Sequence, residues 1–296
     1  MTPGALRDGS PVDRRTGLTH REFVTQYLRP MKPVIVADAI EHWPATGRWT
    51  PAFFRERYGS RRVTVDEVDY ALSDLLDLVE GSSAAKPAPY LRNLVIDRWA
   101  PDLMADIQPL PHHTQPNWLD SRFFPERPSL TSIELYIGGA GATFPTLHYD
   151  NLHTHAFLMQ LYGSKEYVFY PPDQGPWLYP RQGIETNRSS VEDIEHPDLD
   201  RFPLFGRAVA ARCVLRAGEM LFVPAGWWHT ARILEPAITV SANTVNASNW
   251  KAFLGDYDVW ASRHRPRKRT AVLSAYVRVF GFIGCLGSLR SLRASP

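Results

Sequence analysis

A chain of 296 residues that is 44% apolar, with nine Trp, fourteen Phe and a formal charge of +2, has enough material for a large buried core and is not composed like a disordered or fibrous chain. Two cysteines, Cys213 and Cys285, exclude a disulfide framework, and "MTPGALRDGSPVDRRTG" at the N-terminus has no apolar run of the signal-peptide kind, so a soluble cytoplasmic protein is expected. Charge is unevenly distributed: eight Lys or Arg and no acidic residue follow Asp258, which leaves residues 1–258 net acidic and favours a cationic substrate.

The first segment with a clear pattern, "LTHREFVTQYL", offers Thr19 as a cap with Glu22 three positions on and apolar residues at helical spacing, and predicts a helix. "KPVIVADAI" reads as a short strand, and "WTPAFFRERYG" as a second helix closed by glycine. Residues 1–130 mix helices, strands and Pro-rich connections and are expected to flank a core. From Ser132 the pattern becomes short strands with turns between them: "SIELYIGG", "AFLMQLY", "KEYVFYPP", "ARCVLRAG", "EMLFVPAG", "HTARIL" and "AITVSANTV". This is the spacing of a mainly β sandwich or barrel, assigned here to residues 131–250. The polar, Pro-rich insertion between Pro171 and Arg207 is long enough to be expected to serve as a lid or a substrate groove.

Residues 251–296 form a basic tail in which Val272, Tyr276, Val279, Phe280, Ile283 and Leu286 share a helical face. The apolar run is short and carries Arg278, which weighs against a transmembrane span. A helix that packs on the body or on a second copy of the chain, giving a homodimer, is expected. The basic residues read as a solvated linker, so no specific nucleic-acid partner is expected.

The segment "TLHYDNLHTHAF" puts three histidines and an aspartate within eight positions. Residues i and i+2 of a strand share a face, so His148 and Asp150 can both aim into a barrel. "GEMLFVPAGWWHTARIL" then supplies His229, 81 positions after His148, behind a tight turn. Two histidines and a carboxylate on one face of an octahedron is the ligand set of non-haem Fe(II) oxygenases, although zinc or manganese fits the same side chains. His153 and His155 are expected to support the loop rather than ligate. Trp227, Trp228 and Phe222 are expected either to wall the pocket or to belong to the plain core.

"TLHYDNLHTHAFLMQLYGSKEYVFYPP" followed by "RCVLRAGEMLFVPAGWWHTAR" resembles the Jumonji-C (JmjC), or cupin-like, Fe(II)- and 2-oxoglutarate-dependent oxygenases, and is most similar to the small JmjC protein hydroxylases. The resemblance covers about residues 132–250, is looser over 18–130, and does not reach the tail after Arg263. It implies a double-stranded β-helix (jelly-roll, cupin) core with flanking helices and a C-terminal helical tail, and makes His148, Asp150 and His229 the iron ligands. It implies that Lys165 pairs with the distal carboxylate of 2-oxoglutarate, that Tyr90 hydrogen-bonds the same group, and that Asn243 lies near the chelating end. Thr146 in "FPTLH", where the family's Thr-Pro order is reversed, becomes a cosubstrate contact, and Thr154 or His155 takes the place of a polar residue near the iron. The implied reaction is hydroxylation of an amino-acid side chain in a protein or peptide. Hydroxylation of a small molecule, N-demethylation and a non-oxidative metal-binding cupin are the alternatives.

Overall fold

The computed structural model describes residues 7–124, 132–264 and 266–293, with the side chains of 7, 8, 264, 267 and 285–293 left aside. Two sheets face one another. The larger has seven strands in the order β2 (Asp13–Arg15), β3 (Val34–Val36), β11 (Met220–Val223), β8 (His155–Tyr162), β13 (Ala237–Thr244), β7 (Ile133–Gly138) and β6 (Leu91–Val95). The smaller has four, β1 (Arg7–Asp8), β10 (Val209–Arg216), β9 (Ser164–Tyr170) and β12 (Trp228–Ile233), and a separate hairpin joins β4 (Arg62–Val65) to β5 (Val68–Ala71). Strands from the N-terminal 130 residues thus extend both sheets.

Alternation along the strands decides what each face of the large sheet does. Leu135 and Ile137 of β7, Phe157, Met159 and Leu161 of β8, and Ile238, Val240 and Ala242 of β13 point to one side, into the main core. The N-terminal helices cover that side. They are α1 (His20–Phe23), which runs on into a π-helical turn Val24–Leu28, α2 (Pro51–Tyr58), α3 (Leu72–Glu80) and the short α4 (Ile96–Trp99). The predicted starts of α1 and α2 follow from their caps: Thr19 and Glu22 form a reciprocal capping box, and Thr50 accepts from Phe53 N–H with Pro51 in the first turn. The other parity, Glu134 and Tyr136, Ala156 and Leu158, Thr239, Ser241 and Asn243, faces the smaller sheet and lines a cavity.

The insertion after β9 carries its own core. Leu178, Val191, Ile194, Phe202 and Phe205 pack on Tyr170, Leu147 and Trp228, so it is a packed flap on the small sheet. At the C-terminus, α5 (Trp250–His264) leads into α6 (Arg267–Arg293). Most of the predicted apolar face of α6 is turned outward: Val272, Val279 and Ile283 are 60–70% exposed, and Tyr276 is also exposed. Of that face only Phe280 packs inward among the described side chains, joined by Val277 and the small residue Gly281, against α5 and Trp118. A helix reads its partner through shape as well as apolarity, and the glycine lets the backbone approach the indole of Trp250. Leu286 and Cys285 lie outside the described side chains.

Candidate metal centre

The segment before β8 runs antiparallel to β12. Phe144 N–H donates to Ala231 O at 2.8 Å, and His148 and His229 exchange backbone hydrogen bonds of 3.0 and 2.6 Å. This extended edge ends at His148 rather than continuing as the regular strand expected through Asp150. Asp150 stands at the start of a single 3-10 turn, Asn151–His153, in which Leu152 and His153 both take left-handed backbone angles. The Asp150 side chain makes no capping hydrogen bond to that turn, which leaves the carboxylate for the cavity.

One ligand atom from each of His148, Asp150 and His229 lies within 4.8 Å of the other two. The His229 Nε2 to Asp150 Oδ2 distance is 4.0 Å, too long for a hydrogen bond and suited to a cation between them. Both rings are fixed from behind: His148 Nδ1 lies 3.0 Å from Thr146 O, and His229 Nδ1 lies 3.0 Å from Trp227 O. A carbonyl only accepts, so each Nδ1 carries the proton and each Nε2 presents a lone pair to the site. Phe144 stacks on the His148 ring at 4.4 Å. Burial, with a smaller contribution from His229, pushes His148 down to about 3, so the imidazole is neutral and ready to ligate. Burial also raises the Asp150 carboxyl, opposed by His229.

The cavity, about 230 Å³, runs between the sheets from this cluster to Lys165. Lys165 faces Ile233 across the β9–β12 ladder, and His229 faces Phe169. The two positions are therefore four residues apart along the strand, about 13 Å at the usual rise. The ammonium donates to Tyr90 Oη at 2.9 Å and is 1% exposed, and among the described residues no carboxylate forms an ion pair with it. Burial lowers its pKa to about 7. Tyr90 and Tyr136 stand beside it, with Nζ 5.1 and 5.7 Å from their ring centres. Asn243 also lines the cavity, and its buried Oδ1 has no partner among the described residues.

The other predicted residues fall elsewhere. Thr146 contributes its carbonyl to the His148 ring, and its side chain is not on the cavity wall. The Thr154 hydroxyl donates to Asn151 O, and the residue lines a neighbouring groove. His155 is fully buried with both nitrogens engaged: Ala225 N–H donates to Nδ1, and Nε2–H donates to Ser248 Oγ. His153 meets Asp256 of α5 at 2.7 Å. The three expected aromatics do not wall the cavity. Phe222 belongs to the main core, Trp228 to the flap core, and Trp227 donates to Met31 O. Glu134, Tyr136, Tyr167, Thr239 and Ser241 take those places, together with Asn187 and Arg188 from the flap. Parity along "SIELYIGG" and "AITVSANTV" marks the β7 and β13 members. The flap residues carry no comparable signal.

Comparison with known proteins places this geometry. The sequence profile of the cupin-like domain matches residues 20–246. The chain belongs to the cupin-like, JmjC-type family. It is 29% identical over 230 residues to lysine-specific demethylase 8 of Xenopus tropicalis, covering 74% of this chain and 49% of that one. It is 27% identical over 264 residues to the human bifunctional peptidase and (3S)-lysyl hydroxylase JMJD7, covering 75% and 80%. The human tRNA wybutosine-synthesizing protein 5 is 28% identical over 240 residues, covering 74% and 73%. The first relatives matched are longer, and this chain spans about half of their length or less. No described helix is long and apolar enough to cross a membrane.

Proposed function

We propose that this JmjC-type chain is an Fe(II)- and 2-oxoglutarate-dependent oxygenase that hydroxylates a C–H bond of an amino-acid side chain in a protein or peptide. The observation that carries the reading is one cavity holding a three-atom ligand set at one end and a buried ammonium without a carboxylate partner at the other. A five-carbon dicarboxylate matches both ends: one oxygen pair chelates a metal, and the far carboxylate meets Lys165 and the Tyr90 hydroxyl. A non-oxidative metal cupin leaves the buried Lys165 without a purpose. The relatives named for lysyl hydroxylation and for lysine demethylation favour side-chain chemistry on proteins.

In this reading His148, Asp150 and His229 hold the metal, and Fe(II) with 2-oxoglutarate bound supplies the activation of O₂. Overall, R–H, O₂ and 2-oxoglutarate give R–OH, succinate and CO₂, with one oxygen atom entering each organic product. The protein's part is positional. Thr146 and Trp227 carbonyls fix the two imidazole tautomers, Phe144 covers one ring from water, and Asp150 stays ionised against its burial once a dication is bound. Lys165 and Tyr90 orient the distal carboxylate, and Asn243 stands on the cavity wall with a free amide oxygen. Anaerobic loading with Fe(II) and 2-oxoglutarate followed by oxygen should release succinate, and screening of peptides should find a mass gain of one oxygen. Succinate release that is the same in His148→Ala as in the parent protein would remove this function.

A further inference from the structure

The three side chains of the metal cluster are not held alike. The His148 and His229 rings are each fixed from behind by a carbonyl, whereas the Asp150 carboxylate accepts no hydrogen bond among the described residues. Its aim therefore depends on the backbone of the turn Asn151–His153 that follows it. Leu152 (φ 58°) and His153 (φ 46°) are both left-handed there, a conformation that costs energy for a residue with a side chain and persists where the surroundings over-determine it. Those surroundings are α5 and the residues leading into it. Asp256 Oδ2 accepts from His153 Nδ1–H at 2.7 Å, and Asn249, the residue before α5, donates through Nδ2 to the His153 carbonyl at 2.8 Å. Asn249 is 2% exposed and is itself fixed, since its Oδ1 accepts from Asn246 N–H and its Nδ2 also reaches Thr244 O. Leu152 packs on the cluster that contains Trp250, Phe253 and Tyr257. The His153 ring packs on Tyr149, 4.6 Å between centroids, the residue between His148 and Asp150. The flap holds only the start of the turn, where the Asn187 amide donates to Tyr149 O and Asn151 Oδ1.

We infer that α5 clamps the turn that aims Asp150 into the cavity, and that Asp256 and Asn249 are positioning residues for this carboxylate, acting through the ring and the carbonyl of His153. The inference rests on His148, Asp150 and His229 being the metal ligands and adds to them a segment outside the β-core. Two left-handed residues in succession, one of them a leucine, relax toward the extended or right-handed region once the outside contacts are removed. That change rotates the chain immediately after Asp150 and swings its carboxylate away from the two imidazoles, which leaves a two-histidine site. The hydrogen bond is the working part of the Asp256 contact: an amide at 256 offers the same acceptor oxygen, and a methyl offers none. Loss of a group that orients a metal ligand costs about 10–100-fold in metal affinity, and Asp256 acts at one remove from the ligand, so the lower end is expected.

The test uses Co(II), whose visible absorption reports the ligand set, titrated onto the metal-free protein without oxygen. Asp256→Ala should bind Co(II) about tenfold more weakly than the parent, and its spectrum at saturation should move toward that of Asp150→Ala. Asp256→Asn should restore both. His153→Ala should match Asp256→Ala, and the double variant should be no weaker than either. The Asp256 and His153 side chains are 37% and 26% exposed, so these substitutions spare the core, and urea unfolding of the metal-free variants should differ little from the parent. A contact with a structural role alone would lower stability and leave the saturated spectrum as in the parent. An Asp256→Ala protein with the parent's affinity and spectrum overturns the clamp, and so does an Asp256→Asn protein as weak as Asp256→Ala, which would make the effect one of charge. Co(II) binding that survives unchanged in Asp150→Ala overturns the clamp and the metal centre together. Absence of succinate release with the clamp pattern intact removes the oxygenase reading alone.

Discussion

Lys165 and Tyr90 share a buried hydrogen bond, Nζ to Oη at 2.9 Å, and Tyr90 comes from outside the β-core while Lys165 sits at its centre. Burial without a carboxylate holds the lysine down at about 7. A bound dicarboxylate restores the charged form, so binding above neutrality takes up one proton. Affinity for 2-oxoglutarate should be flat below pH 7 and fall about tenfold per pH unit above it. Calorimetry of Zn(II)-loaded protein in two buffers of different ionisation enthalpy reads both the affinity and the proton. An affinity that stays constant from pH 6 to 9 is incompatible with this role for Lys165.

The same residue has a stability consequence. The folded-state pKa lies below the unfolded value of 10.5, so the folded protein binds fewer protons between about pH 7 and 10.5, and stability rises with pH across that window. Lys165→Met replaces a costly buried ammonium with an apolar chain of similar length and should stabilise the ligand-free protein by about 1–4 kcal/mol. It should also remove the stabilisation that 2-oxoglutarate is expected to give to the parent. Urea unfolding with and without 2-oxoglutarate measures both effects, and a less stable variant would contradict the cost assigned to the buried charge.

His148 and His155 are close in sequence and should respond oppositely to removal. His148→Ala deletes one of the three proposed metal ligands and should lower Zn(II) or Mn(II) affinity by about 100-fold with little loss of fold. His155→Ala strips the partner from the buried Ala225 N–H and opens a cavity beside Phe222, so it should cost about 2–4 kcal/mol of stability. Its metal affinity at a temperature where it is folded should stay within a few-fold of the parent. A metal affinity lost equally in both would make His155 part of the centre.

Sequence alone carried the capping box at Thr19, the seven strand segments from Ser132 onward and the cluster of His148, Asp150 and His229 because each is a local signal: a spacing, a parity or a turn. It placed Lys165 only through family resemblance, since a lysine after Gly-Ser carries no local mark of burial. Of the two readings of the aromatics, wall or core, the core holds for a physical reason. Trp227 and Trp228 both precede His229, but neighbours on a strand point to opposite faces, so Trp228 packs outward under the flap, while Trp227 lies before β12 and turns to Met31 O. The flap residues Asn187 and Arg188 were invisible because their place depends on a β-bridge between His148 and Arg188 across 40 positions of chain. Glu134 was legible by parity on β7.

Two histidines away from the metal cluster should make the protein acid-labile. Burial lowers His113 to about 4 and His155 to about 3, against 6.5 for a free imidazole. Each therefore binds fewer protons folded than unfolded below pH 6.5, and the stability present above that pH is lost as pH falls toward 4 and 3. The loss is on the order of 1.4 kcal/mol per pH unit for each fully populated shift. Urea unfolding of the metal-free protein at pH 7, 6 and 5 should show a decline of a few kcal/mol, and a flat profile would mean that these rings are solvated.

The C-terminal helix offers a test in which two effects of one substitution compete. Replacing a helical glycine by alanine favours the helix by about 1 kcal/mol, provided the new methyl has room. At Gly255 of α5 a methyl would stand in open space, with no atom from beyond its own stretch of helix within 4 Å, so Gly255→Ala should stabilise by about 0.5–1 kcal/mol. Gly281 of α6 is different: a Cβ there would overlap the indole of Trp250, which is itself held between Trp118 and Phe253. Overpacking of about 1–3 kcal/mol outweighs the propensity gain, so Gly281→Ala should lift α6 from α5. Trypsin should then cut faster among the basic residues 263–269, Trp fluorescence should shift to the red, and metal affinity should be unchanged because no described residue of α6 reaches the cavity wall. If both alanine variants raise the melting temperature alike, α6 is not seated on Trp250 in solution.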